Sequence, residues 1–211
     1  MPKAIKNIIF DLGGVLLDID FNKTREAFKT SGIQNFDQFF QQSFSNPLFE
    51  DLEKGLVNPI DFYEKFRAES GVHLPDEIII TNWNALLGNF RKASMDYLGE
   101  LKKQYRVFLF SNTNIIHYEA FLEIFRQQFG SSHFHDYFEK AYYSHEINLR
   151  KPEVNSFEFV IKQNNLVAGE TLFIDDTLKN IEGAQAAGLQ TLWLQNQMLI
   201  EEALPVFLEK G

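Results

Sequence analysis

The sequence predicts an α/β protein: a Rossmann-like parallel sheet with a helical bundle inserted after its first strand. Three observations carry this. Short, unbroken apolar runs recur along the chain, helical stretches separate them, and polar residues stand just past the carboxyl end of each run. An unbroken run suits a strand covered on both faces, since neither face meets water. Alternation with helices makes the sheet parallel. The carboxyl ends of such strands are where open α/β sheets bind ligands.

The elements follow in order. Ile8-Ile9-Phe10 ends at Asp11, the run 106–110 at Ser111, Ala141-Tyr142-Tyr143 at Ser144, the run 171–174 at Asp175, and the run 190–194 at Gln195. Helical spacing predicts helices over about 115–128, 153–164 and 180–187, the last closed by Gly188. The stretch 18–90 differs. It has helical spacing at Phe36, Phe39, Phe40 and Phe44 and again at Phe62 and Phe66, turn signals at Asn46-Pro47, Gly55 and Asn58-Pro59, and no clear strand. Roughly 95 residues separate the first two strands, far more than one crossover helix needs. The expected division is therefore an α/β core of 1–17 and 91–211 and a helical insertion of 18–90.

Composition narrows the function. A chain of 211 residues suits one full domain with room for a small second one, and 45% hydrophobic content excludes disorder. With 29 acidic against 20 basic side chains, the net charge of −9 speaks against nucleic-acid binding. A phosphorylated small molecule remains compatible, because a few cations and backbone amides inside a cleft outweigh net charge. The absence of cysteine excludes disulfides, thiolate metal sites and Cys nucleophiles. No secretory pattern and no run of about 20 apolar residues appears, so the expectation is a cytoplasmic protein without a membrane span.

Four strand ends or helix starts carry candidate chemistry. Asp11 is followed by Gly13 and Gly14, which lack the Cβ that would keep a ligand away; the alternative is an Asp capping a tight turn. Ser111-Asn112-Thr113-Asn114 precedes a helix and suits an anion, or serves as a plain N-cap. Lys151 offers a fixed positive charge beside Pro152, read as the first residue of a helix, or is a solvated surface lysine. Asp175-Asp176 is the strongest signal: adjacent carboxylates at a buried strand end repel unless a cation neutralises them, and oxygen ligands of this kind suit Mg²⁺.

In the order Asp, Ser, Lys, Asp-Asp, these motifs resemble the haloacid dehalogenase superfamily, over the chain from Ile8 to about Leu194. The insertion resembles the helical cap of its type-one branch. The Phe-Asp-Leu-Gly start and the Ser-Asn-Thr-Asn stretch are similar to the α-glucose-1-phosphate phosphatase group. The resemblance implies that Asp11 attacks phosphorus and forms an aspartyl-phosphate. It implies Mg²⁺ held by Asp11, the Gly13 carbonyl and Asp176, with Asp175 as ligand or support. Ser111 and the Asn112 amide would hold phosphate oxygens, and Lys151 would neutralise nucleophile and phosphoryl group. The expected function is hydrolysis of a small phosphorylated metabolite such as a sugar-1-phosphate, by a monomer or homodimer.

One departure stands out: many phosphatases of the superfamily carry a second Asp two positions after the nucleophile, and here that position is Gly13. Loss of a general acid worth about 10²–10⁴-fold favours a leaving group of low basicity, which an anomeric phosphate has. Asp18, Asp20 or a substrate hydroxyl are alternative proton sources. Glu53 and Lys54 beside Gly55 resemble the loop by which such caps reach the site, against an exposed helix end. His117 stands near the phosphate loop, His145-Glu146 near Lys151, and His133 and His135 in a loop; each also suits a surface position. The competing readings are a metal-free 2-haloacid dehalogenase, against which Asp175-Asp176 counts, and a weakly catalytic binding protein on the same scaffold.

Overall fold

The computed structural model describes residues 4–39, 47–195 and 198–209. In chain order the elements are β1 (Asn7–Phe10), β2 (Leu17–Ile19), α1 (Phe21–Thr30), α2 (Phe36–Phe39), α3 (Pro47–Glu53), α4 (Pro59–Ser70), α5 (Asp76–Asn84) and β3 (Leu87–Phe90). They continue with α6 (Lys92–Leu101), β4 (Arg106–Ser111), α7 (Ile115–Phe129), β5 (Lys140–Tyr143), α8 (Ser144–Ile147) and α9 (Val154–Gln163). The last are β6 (Thr171–Asp175), α10 (Leu178–Ala186), β7 (Gln190–Trp193) and α11 (Ile200–Glu209).

Five strands form a parallel sheet in the order β5-β4-β1-β6-β7. Its central strands β1, β4 and β6 are buried along nearly their whole length because both faces are covered, while the edge strands β5 and β7 are partly exposed. Ile8 and Phe10 of β1 point into a core shared with α6, α7 and α11 through residues such as Leu98, Phe121 and Leu204. Ile9 points the other way, to Phe157 and Val160 of α9 and Ile181 and Ala184 of α10. Register sets Phe10 of β1 opposite Leu109 of β4 and Ile174 of β6, so three strands finish level with one another beside Asp11.

Helices α1–α5 bury an aromatic core of their own. Phe28, Phe36, Phe49, Phe62, Phe66 and Trp83 meet there with aliphatic neighbours, and Ile116 of α7 joins them from the sheet layer. Local signals explain the helices: the Asp20 side chain caps α1, Asn58 caps α4 with Pro59 at its first position, and Gly71 ends α4 in the left-handed region. Phe40, Phe44 and Asn46 lie outside the described residues.

The expectation of no strand within 18–90 is corrected. Strands β2 and β3 form an antiparallel ribbon, Leu17 opposite Phe90 and Ile19 opposite Leu87, through which the chain enters and leaves the helical layer. Three- and four-residue strands are too short to show alternation, and Gly88 and Asn89 read as breakers. Gly88 is required by the packing itself: a Cβ there would stand 2.9 Å from the Asp18 carbonyl oxygen. A second correction concerns Pro152, which lies before the helix rather than opening it, since α9 starts at Val154 with Glu153 as its cap.

Candidate active site

Asp11 leaves the end of β1 with its amide bonded to the Ile174 carbonyl, 2.9 Å away, which fixes it between the central strands. Lys151 Nζ stands 2.7 Å from Asp11 Oδ1 and 2.8 Å from Asp175 Oδ2, with its side chain only 1% exposed. The ammonium also lies over the rings of Phe110 and Phe173, 5.6 and 5.3 Å from their centres. Asn112 clamps the lysine backbone from both sides: its Oδ1 accepts from Lys151 N at 2.9 Å and its Nδ2 donates to Lys151 O at 2.8 Å. Asn112 thus works through its side chain as well as offering its amide.

The adjacent acids divide their tasks. Asp175 is fully buried, and its oxygens accept from Lys151 Nζ, Thr177 N at 2.8 Å and Asn180 Nδ2 at 3.0 and 3.2 Å. Asp176 is exposed, and its Oδ1 accepts from Thr177 Oγ1 at 3.2 Å, with no side-chain donor to Oδ2 among the described residues. One oxygen from each of Asp11, Asp175 and Asp176 lies within 4.8 Å of the others. Burial, aided by the Asp175 and Asp176 charges and opposed by Lys151, pushes the Asp11 carboxyl up to about 7. Burial and then Asp175 raise Asp176 as well. Burial works against the Lys151 ammonium, but Asp11 and Asp175 outweigh it and hold its pKa above the ordinary lysine value. Three carboxylates against one ammonium leave an excess charge of the size a divalent cation carries, and the donors are all hard oxygens. The site fits Mg²⁺.

Gly14 makes this proximity possible. Its φ is +73°, and a Cβ there would sit 2.0 Å from Asp176 Oδ2. Arg91 Nη1 holds the same turn from below, 2.7 Å from the Gly14 carbonyl oxygen. Gly13 lines the cavity, with Ile19 of the β2–β3 ribbon packed over it; a Cβ at 13 would lie 3.1 Å from the Ile19 side chain.

Above these groups opens a cavity of about 640 Å³. Its floor includes Asp11, Ser111, Asn112, Lys151 and Asp176, and its wall is drawn from the helical layer and ribbon, including Phe49, Glu53, Trp83 and Leu86. Ser111 is the last residue of β4 and is 3% exposed; the N-cap duty of its motif falls to Asn114, which accepts from His117 N at 3.1 Å. Buried Ser144 fixes the loop between them, accepting from Thr113 N at 2.9 Å and donating to Thr113 O at 2.8 Å.

Glu53 lines the cavity, pairs with Arg150 at 2.9 Å, and has its carboxyl raised by burial. Lys54 does not line it; it bridges Glu50 and Glu153, each at 2.9 Å. The adjoining Gly55, φ +65°, abuts the His145 carbonyl, where a Cβ would lie 2.1 Å from the oxygen. Neither flap acid reaches the cavity: Asp18 pairs with Arg91 at 2.7 Å, and Asp20 caps α1. His133 pairs with Asp136 at 3.2 Å on the surface, and His135 contacts the Tyr143 hydroxyl at 3.1 Å. His145 packs against Tyr118 and Tyr143, and neither it nor the exposed Glu146 lines the cavity.

Sequence reasoning gave no role to Arg91, Ser144 or the Asn180 side chain. Arg91 and Ser144 act through contacts made far along the chain, at Gly14 and Thr113, whereas Asn180 reaches back to nearby Asp175.

Among the described residues, no helix is long and apolar enough to cross a membrane. A family model described as haloacid dehalogenase-like hydrolase matches residues 5–188. The chain is 31% identical to a D-ribitol-5-phosphate phosphatase of Bacteroides thetaiotaomicron, over 97% of this chain and 98% of that one. It is 29% identical to a sesquiterpene phosphatase of Aspergillus oryzae, over 94% of each. A crystal structure of a wild-type Bacteroides thetaiotaomicron enzyme of the same family, in complex with magnesium and inorganic phosphate, superposes with a TM-score of 0.81 at 36% identity, covering 90% of this chain and 94% of that one. The strand-end acids, the buried lysine and the sheet order thus agree with sequence matches spanning nearly the whole chain, and the protein belongs to the haloacid dehalogenase-like hydrolases.

Proposed function

We propose that the protein is a Mg²⁺-dependent phosphatase of a small polyhydroxylated phosphate, a sugar or sugar-alcohol phosphate, acting through an aspartyl-phosphate on Asp11. One observation carries the reading: Asp11 meets Lys151 at 2.7 Å at the bottom of a cavity whose floor also holds Ser111, Asn112 and Asp176. Relatives described as phosphatases, and a related structure containing magnesium and phosphate, support it.

Asp11 supplies a carboxylate oxygen that bonds to phosphorus while the bond to the substrate oxygen breaks. Lys151 favours the ionised form of that carboxylate, holds it in place, and offsets charge on the phosphoryl oxygens. Ser111 and the Asn112 amide position those oxygens. Asp11, Asp176 and the Gly13 carbonyl would hold Mg²⁺, with Asp175 behind them, and the ion would supply the remaining charge compensation. Water then opens the aspartyl-phosphate, regenerating Asp11 and releasing phosphate. The segment 18–90 acts as a cap over the core of 1–17 and 91–211, excluding bulk water. The reading extends to a cytoplasmic monomer or homodimer.

The leaving oxygen needs a proton or low basicity, and the site offers no carboxylate at 13, where Ile19 covers the glycine. This supports sugar-1-phosphates. The relative described as acting on D-ribitol-5-phosphate, a primary phosphomonoester, supports terminal phosphates instead, with a substrate hydroxyl or water giving the proton. A panel of sugar-1-phosphates and terminal sugar and polyol phosphates, assayed for phosphate release with Mg²⁺ and with EDTA, decides between them. Turnover of terminal phosphates equal to or above that of sugar-1-phosphates discards the leaving-group argument. Asp11→Asn should lower phosphate release by about 10³-fold or more. Chloride release from 2-haloacids without Mg²⁺, and no phosphate release, overturns the phosphatase reading.

A further inference from the structure

The cavity wall contains a three-ring stack. Phe49 of α3 lies on Trp83 of α5, with ring centres 5.0 Å apart and planes 16° from parallel, and Trp83 lies on His117 of α7, 5.0 Å apart and 14° from parallel. All three rings line the cavity that holds Asp11 and Ser111. His117 occupies the first turn of α7, immediately after the loop that carries Ser111 and Asn112, and is 9% exposed.

The imidazole is fixed in one tautomer. Its Nδ1 lies 2.8 Å from Asn84 Oδ1, and an amide oxygen only accepts, so Nδ1 carries the hydrogen and donates. Nε2 is then a lone-pair acceptor, and it has no hydrogen-bond partner among the described residues. Burial pushes this histidine down to about 3, so the ring stays neutral in the range where enzymes work. A neutral acceptor in a wall that lines the cavity takes its hydrogen bond from a donor that fills the cavity. Ionised phosphate oxygens have no hydrogen to give. A hydroxyl on the organic part of the substrate does.

We infer that His117 is a specificity-determining residue: its Nε2 accepts a hydrogen bond from a substrate hydroxyl, while the Phe49–Trp83–His117 stack carries the carbon skeleton, so that the site selects hydroxylated over plain alkyl phosphates. This rests on the phosphatase reading above and deepens it. Asn84 is a positioning residue, since it sets the tautomer without touching substrate.

The test compares two primary phosphomonoesters of equal chain length, a pentitol 5-phosphate and n-pentyl phosphate, on the full-length protein with Mg²⁺. The wild type should prefer the pentitol phosphate in kcat/KM. His117→Phe keeps the ring stack and removes the acceptor; it should lower the pentitol-to-pentyl ratio of kcat/KM about tenfold, chiefly through KM for the pentitol phosphate. His117→Gln, whose amide oxygen reaches a similar place, should recover at least half of that ratio. A ratio unchanged in His117→Phe, as when both substrates lose activity equally because the wall is disturbed, overturns the inference. So does a glutamine variant as poor as the phenylalanine one, since ring shape would then set the preference. Wild-type protein that releases phosphate from neither probe overturns the inference, and the phosphatase reading falls with it only if the sugar-1-phosphates of the panel are untouched as well.

Discussion

The cavity brings together two regions made in different ways. On its floor, four charged side chains from three separate stretches of chain converge: Asp11, Lys151, Asp175 and Asp176. Across from them, α1–α5 hold themselves together by aromatic rings, with Phe28 and Phe36 stacked 4.6 Å apart and Phe49 stacked on Trp83. The floor is held by charge balance, so each member is needed by the others. The wall is held by buried area, which adds up over many contacts and tolerates exchange of one apolar group for another. The difference predicts where substitutions should be catastrophic and where they should be graded.

The largest effect should come from Lys151→Met, which removes the buried ammonium paired with Asp11 and Asp175. Stability in urea with EDTA should fall by about 3–5 kcal/mol, with activity lost as well. Mg²⁺ should recover part of the stability and none of the activity. A loss under about 1 kcal/mol would mean that the floor is not organised by charge balance.

Gly14→Ala comes next. The new methyl has no room beside Asp176 Oδ2, and the backbone is already left-handed there. The Mg²⁺ concentration giving half-maximal phosphate release should rise about tenfold, a shift equivalent to about 1.4 kcal/mol. An unchanged Mg²⁺ requirement would show that Asp176 does not hold the ion.

The wall should answer to acid at His117. Its folded pKa of about 3 lies below the ordinary 6.5, so between these values the unfolded chain binds a proton that the folded one refuses. Stability from this group is therefore complete above pH 6.5 and drains away as pH falls towards 3, by at most about 1.4 kcal/mol per pH unit. Thermal unfolding between pH 6.5 and 4 should thus be less steep in His117→Gln than in the wild type. Parallel curves would sink this account of the buried imidazole.

Lys54→Ala should be the mildest. Its pairs with Glu50 and Glu153 are partly exposed, and such bridges contribute about 0–1 kcal/mol. A larger drop in urea would reveal that this seam, rather than the stacked rings, fixes the helical layer onto the sheet layer.

The same contrast explains what the sequence revealed. The floor was legible because its chemistry dictates residue types: an acid after one strand, a hydroxyl after another, two acids after a third. Strands β1, β4 and β6 were legible because burial on both faces leaves an unbroken run, and the edge strands β5 and β7 because their β-branched and aromatic residues stand between helical stretches. The ribbon β2–β3 was not, since it is short, contains Gly88, and is specified by tertiary contact with Asp18 and Gly13. The split between Asp175 and Asp176 was equally hidden. It depends on Asn180 and Thr177 filling one carboxylate and leaving the other with a spare oxygen, which spacing alone does not state. His117 looked like a surface histidine because the residues that bury it, Trp83 and Asn84, belong to a distant helix.

The sheet order has a consequence for the newly made polypeptide. Asp11 is translated early, yet β6, the neighbour that brings Asp175 and Asp176 beside it, is translated late. A ribosome-bound fragment that stops before β6 carries Asp11 without the acids that complete its electrostatic setting. The charge-balanced floor is thereby assembled only once the last central strand has docked.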